Sequence, residues 1–340
     1  MKDRFTSSLF HLRVREVTEP VDRVYGVLAL ADREMQAKIP IDYSETAKKQ
    51  YWHLYIHVTT LAIASGHMFY VLRELCPSDR LPNLPSWCPN YNVMGPRNHT
   101  SWPIGRAGLF DNATAHTLEP SLDPAMIRIG GFSVDMVKFV LDSPEVWSSD
   151  GQRLHGLTVM AASHLRWIRR IEQIIKDNVL DTSMVPTILW QCILGYIPPP
   201  PGTETMKPPC SEEGFTLLML ILTGCVDPEV KANNRVGEED LGPYNAAWDL
   251  AFGFFSNRQF FLTEKGHFGL ANIGIQVGDN VCVFLGEKVL YLLTPAQTKI
   301  VRRRLTSCRE FRSAAYVHSM MMGEYLKDVK GGEHEIFNIV

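Results

Sequence analysis

RQFFLTEKGHFGLANIGIQVGDNVCVFLGEKVLYLLTP, residues 258–295, is the stretch whose reading decides the fold. Short apolar runs (FFLT, HFGLA, VCVFLG, KVLYLL) are separated by turn signals at Lys265-Gly266, Val277-Gly278-Asp279 and Gly286-Glu287. From Arg258 onward the period changes to two, which predicts an antiparallel meander. A last strand in SAAYVHSMMMGEYL, residues 313–326, would close it into a small barrel-like sheet.

Working upstream, helical spacing runs from Leu157 to Leu180, from Thr187 to Leu194, over 214–225 and over 242–257. The proline run at 197–202 and the charged stretch 226–240 break this series, and 198–213 reads as a disordered or functional loop. Short strands, joined at Gly130 and Gly131, are expected around Met126, Ile127, Ile129, Phe132, Val134 and Val137. Near the start, Val24, Val27 and Leu28, then Tyr51, Leu54, Tyr55, Val58, Leu61 and Ala62, recur at helical spacing. Ser44 is a candidate cap between them, and Gly66 a left-handed helix end. Trp52 and His53 read as core or interhelical contacts.

Prolines at 77, 82, 85, 89, 96 and 103 forbid regular structure in the intervening connector, yet its Trp87, Tyr91 and Trp102 are too apolar for a free linker. The connector is expected to lie pinned across the core. The fold class expected is α+β: a helical N-terminal and central body with a small sheet, and a C-terminal antiparallel barrel-like β-sheet. The segments are 1–108, helical with the Pro/Trp-rich connector; 109–256, strands then helices; and 257–340, β, all within one compact unit.

Composition excludes several function classes. With 34 Lys plus Arg against 37 Asp plus Glu, a net charge of −3 leaves no positive excess for a nucleic-acid backbone or an anionic membrane. Seven cysteines lie scattered, without a Cys-x-x-Cys pair or zinc spacing, as reduced thiols in a cell would. The first twenty residues are polar and charged, and no run of about 18 apolar residues predicts a membrane span, so a cytoplasmic protein is expected.

No nucleotide loop, no Gly-x-Ser-x-Gly elbow and no carboxylate cluster for a metal is visible, so neither cofactor nor metal is expected. Histidines and aromatics remain. Glu264 and His267 flank a hairpin turn, where they can polarise a carbonyl or simply face solvent. Alternation puts Tyr316 and His318 on one strand face; with Glu324 they line a pocket, or else His318 is a structural hydrogen-bonder. Trp87, Tyr91 and Trp102 form either a lid over a hydrophobic cavity or ordinary packing.

Several motifs occur in a telling order. EPVDRVYGVLAL, residues 19–30, resembles the DPRDKVYALLGL signature of fungal heterokaryon-incompatibility (HET) proteins, and IPIDYS falls where they carry PDYS. LPSWCPNY resembles their LPSWVPDW. Residues 258–293 followed by AAYVHSMMMGEYL are similar to their RRFFVTEKGYIGLGP…GDVVCVLLGGRVPFVLR followed by AYVHGIMDGE. The YxALSYxWG-type block of the HET core does not precede Glu19, so the chain looks like the family's C-terminal half standing alone. Where HET proteins read GIMDGE this chain has Ser319, Met320, Met321, Met322, Gly323 and Glu324, a softer surface that suits an apolar ligand, with Met321 a candidate contact, or that ordinary drift would produce.

The resemblance implies two readings. One is a cofactor-independent cyclase or isomerase of fungal secondary metabolism, similar to HET-like proteins thought to catalyse intramolecular Diels–Alder closure of a terpenoid or polyketide. Its catalytic residues would come from His267, His318, Tyr316 and Glu324, and its substrate contacts from Trp87, Tyr91, Trp102 and Met321. The other is a non-enzymatic module that binds a partner protein in incompatibility or cell death. A closed apolar cavity favours the first and a flat apolar patch the second.

Overall fold

The computed structural model describes residues 4–73, 75, 77, 80–93, 118, 119, 121, 123–144, 153–196, 212–227, 229, 258–301, 304–327 and 334–340. Six helices come first: α1 (Arg4–His11), α2 (Asp22–Tyr25), α3 (Arg33–Lys38), α4 (Glu45–Lys49), α5 (Trp52–Ala62) and α6 (Met68–Leu72). Three more follow later, α7 (Arg153–Asn178), α8 (Val185–Leu194) and α9 (Glu212–Val226). The strands are β1 (Leu118–Glu119), β2 (Ile127–Leu141), β3 (Arg258–Thr263), β4 (Phe268–Asn272), β5 (Asn280–Phe284), β6 (Leu290–Val301), β7 (Arg304–Val317) and β8 (Glu335–Ile339). The fold is α+β, and one connected set of buried apolar side chains runs from Phe5 to Ile339.

Local chemistry accounts for the helix ends. Asp32 and Ser44 accept from Met35 N and Ala47 N, as caps should, at the starts of α3 and α4. Gly66 takes the left-handed φ 84 as expected, and the kink there separates the helix that begins with α5 from α6. The run Trp52–Leu72 is the one stretch among the described residues long and apolar enough to cross a bilayer. Its Tyr55, Val58, Ala62, Met68, Val71 and Leu72 are buried in the core, so this side faces protein.

The sheet returns on itself. Strand order is β2-β3-β4-β7-β6-β5, and β5 pairs back onto β2, which makes the sheet ring-like; β8 lies against β2 and β7. The closing strand corrects the expectation of short strands broken at Gly130 and Gly131: β2 runs unbroken for 15 residues. It reaches both neighbours by shifting register, pairing β5 over Gly131–Met136 and β3 over Val137–Leu141, with irregularities at Ser133/Asp135 and Val137/Phe139. Gly131 is required for approach, not for a turn, because a Cβ there would strike the Val283 carbonyl and meet the Phe337 ring.

Three further expectations are corrected. Every residue of β3 and of β4 is buried, so burial there does not alternate; both faces of this part of the sheet are covered. The strand expected to be the last, β7, stops at Val317, not at Leu326, because Ser319 adopts φ 65 and turns the chain over the strand end, and β8 follows it. The turns at Gly266 and Gly286, φ 88 and 82, are hairpins as read, joining β3 to β4 and β5 to β6. The turn at Gly278, φ 91, is not: β4 pairs with β7 and β5 with β6, so the expected meander is broken between β4 and β5.

Candidate functional site

His267, Tyr316, His318 and Glu324 do come together, at the end of the ring where β7 meets the β3–β4 turn. Pairing of Leu270 with Tyr316 sets the register, and His318 N donates to the Phe268 carbonyl at 2.8 Å. Tyr316 is buried and its hydroxyl donates to the Tyr196 carbonyl at 3.0 Å, just beyond the left-handed Gly195 that ends α8; His318 Nδ1 lies 3.5 Å from the same oxygen. Glu324 Oε2 accepts from Met322 N at 2.8 Å, and Val317 N points at the buried Met321 sulfur at 3.5 Å. His267 is half-buried, its N–H bonded to Thr263 Oγ1 at 2.9 Å. Each partner is a turn or strand-end contact, so the cluster knits the β7 end to α8.

Burial holds the His318 imidazole below the ordinary value; nearby His267 pushes the same way and Glu324 opposes. An unfolded histidine takes its proton near about 6.5. Between there and the depressed folded value the unfolded chain binds the extra proton, so stability falls as pH drops. Buried His164, lowered chiefly by desolvation, acts in the same direction. Replacing His318 by Asn is expected to flatten the loss of urea midpoint between pH 7 and 5 by at most about 1.4 kcal/mol per pH unit, the weight of one proton. An unchanged slope would show that His318 is not held neutral.

The aromatic candidates behave otherwise. Trp87 and Tyr91 are fully buried: Trp87 Nε1 donates to the Ala125 carbonyl at 3.3 Å, and Tyr91 Oη lies 3.1 Å from Thr59 Oγ1 with its ring edge-on to Tyr55. They pack the core instead of covering a cavity. Trp102 lies outside the described residues.

A cavity of about 690 Å³ opens elsewhere, between one face of α5 and Ser121 with residues 123–128. Ile56, Ile63, Met126 and Ile127 give it an apolar floor, and His53, His57, Thr60 and Arg128 stand among its polar groups. Its far wall is fixed: Asp123 accepts from Ala125 N at 2.9 Å and pairs with Lys299 at 3.5 Å, while Trp87 holds Ala125 from behind. None of the seven described residues among the sequence candidates, His267, Tyr316, His318, Glu324, Trp87, Tyr91 and Met321, lines this groove. The missed signal is Trp52, His53, Ile56, His57 and Thr60, a mixed stripe at helical spacing on an otherwise apolar helix. Among the described residues no three His, Cys, Asp or Glu side chains gather as a metal would need.

Comparison of the chain with protein families, with curated proteins and with solved structures finds no match. The groove and the histidine cluster therefore have to be judged on their own geometry.

Proposed function

We propose that this chain is a cofactor-independent cyclase or isomerase acting on an apolar small molecule, a terpenoid or polyketide, within the α5 groove. One observation carries the reading: the groove's volume, about 690 Å³, falls inside the range of about 300–1,000 Å³ typical of small-molecule sites, and its floor is apolar. Ring closure within one molecule needs a shape that selects the reactive conformer and a donor on a carbonyl. His53 puts such a donor on the groove wall, with His57 beside it.

The resemblance to HET proteins supports membership of that family and a role in fungal secondary metabolism. The test compares metabolite extracts with and without the gene, then adds purified protein to whatever intermediate accumulates. Conversion without added cofactor is the expected result. Identical extracts with altered fusion or viability would replace the enzyme by a partner-binding module of incompatibility.

A further inference from the structure

Two histidines one helical turn apart face the groove, and their surroundings differ. His57 Nε2 lies 2.7 Å from the Lys38 carbonyl, at the C-terminal end of α3 where backbone acceptors lack helical partners. A carbonyl oxygen only accepts, so Nε2 carries the proton, and the neutral ring then presents Nδ1 as an unprotonated acceptor. This is the orientation by a fixed partner that a general base requires. His53, four residues earlier on the same face, lies beside the Trp52 ring at 5.7 Å; its backbone N donates to the Gln50 carbonyl, while its ring has no hydrogen bond among the described residues. Three other polar groups of the lining are engaged: Thr60 Oγ1 donates to the Ile56 carbonyl at 2.8 Å, Asp123 is paired with Lys299, and Arg128 Nε donates to Asn338 Oδ1 at 3.3 Å.

We infer that His57 is the proton acceptor of this groove and His53 the donor to a substrate oxygen, a pair suited to apolar substrates with an acidic C–H bond beside a carbonyl. The inference rests on the reading of the groove as a small-molecule site. In the step, His57 Nδ1 takes the proton from carbon, the C–H electron pair becomes the C=C bond of an enolate, and the charge moves to oxygen. The His53 N–H holds that oxygen. Return of the proton to a conjugated carbon gives an isomer of the substrate. Alternatively the enolate carbon bonds to an electrophilic carbon of the same molecule, and the oxyanion so formed takes the proton. Neither route gains or loses an atom, and neither needs an oxidant or a reductant.

The probe is 5-nitrobenzisoxazole, a flat apolar molecule whose ring opens when a base removes its C3 proton. The C–H pair becomes the third bond of a nitrile, the N–O bond breaks, and a coloured phenolate leaves. Binding is followed separately by the fluorescence change that Trp52→Phe abolishes. Turnover by the whole chain is expected, with kcat falling about 100-fold or more in His57→Ala at little change in KM.

Nitrogen-15 spectra of the His57 ring give a readout independent of turnover, and a proton on Nδ1 in the neutral ring would overturn the inference. A probe that binds but turns over equally in wild type and His57→Ala overturns it too, while leaving the groove as a small-molecule site. Absence of both binding and turnover also overturns it, and removes the wider reading only if the metabolite comparison is negative as well.

Discussion

Trp87→Ala is expected to lower the stability of the fold by about 3–5 kcal/mol, read as a fall in urea midpoint at unchanged slope. The indole is fully buried, and the chain around it is the seam between the helical part and the ring. Next to it, Ser86 N donates to the Val340 carbonyl at 3.0 Å and Ser86 Oγ accepts from Phe311 N at 2.8 Å. Truncation removes the largest side chain of that seam, leaves a void that fixed backbone cannot fill, and takes the donor from the Ala125 carbonyl. A tryptophan acting as a lid would behave in the opposite way: its loss would weaken ligand binding and spare the fold. A loss below about 1 kcal/mol, within the range of surface changes, would restore the lid reading. Because Ala125 lines the groove, the variant should also loosen that wall.

What was legible in the sequence divides along the range of the interactions. Turns made by glycine are local, and Gly266, Gly278 and Gly286 declared the turns through their backbone freedom, whereas the placing of β7 and β6 between β4 and β5 is long-range and was not visible. Gly130 and Gly131 carry the same letters with another meaning, since Gly131 exists to admit the Val283 carbonyl from a strand some 150 positions later. Nothing within a window around residue 131 distinguishes a turn from a close approach. Likewise AYVHSMMMGEYL is apolar enough for a strand, and only Ser319 in the left-handed region ends it.

The two candidate sites differ for the same reason. His267 sits in a hairpin that pairs with the neighbourhood of His318, and both ends of that pairing were visible as strands, so their meeting was foreseeable. The α5 groove joins residues 52–64 to Ser121 and residues 123–128 across a connector that no periodicity governs. His53 looked like an interhelical contact because a helix with buried Tyr55, Val58 and Ala62 offers no outward hint of a second, half-open face. The proton on His57 depends on a carbonyl nineteen residues away, which a sequence motif does not encode.

Glu287→Gln is the second large expectation, and its sign depends on pH. Glu287, in the tight turn read at Gly286-Glu287, is fully buried, with the Tyr291 hydroxyl donating to its Oε2. Burial pushes this carboxyl up to about 7; the hydrogen bond from Tyr291 and the charge of Lys288 pull it down without cancelling that effect. An acid whose folded value lies above its unfolded value, 4.5, favours folding below that unfolded value and loses the advantage as pH rises through about 7. At pH 8 the wild-type fold therefore holds a buried carboxylate that the unfolded chain would hydrate, a penalty of about 3 kcal/mol. Gln keeps the shape and the acceptor for Tyr291 without the charge. Its urea midpoint should match wild type near pH 5 and exceed it at pH 8 by an amount approaching that penalty. Glu287→Leu separates charge from hydrogen bonding: it removes the carboxylate but leaves the Tyr291 hydroxyl without this acceptor, at a cost of about 1–3 kcal/mol at every pH. A Gln variant whose advantage does not change between pH 5 and pH 8 would mean that Glu287 never titrates inside the ring. The acid-side loss traced to His318 and His164 runs the other way, so Glu287→Gln should widen the stable range on its alkaline side only.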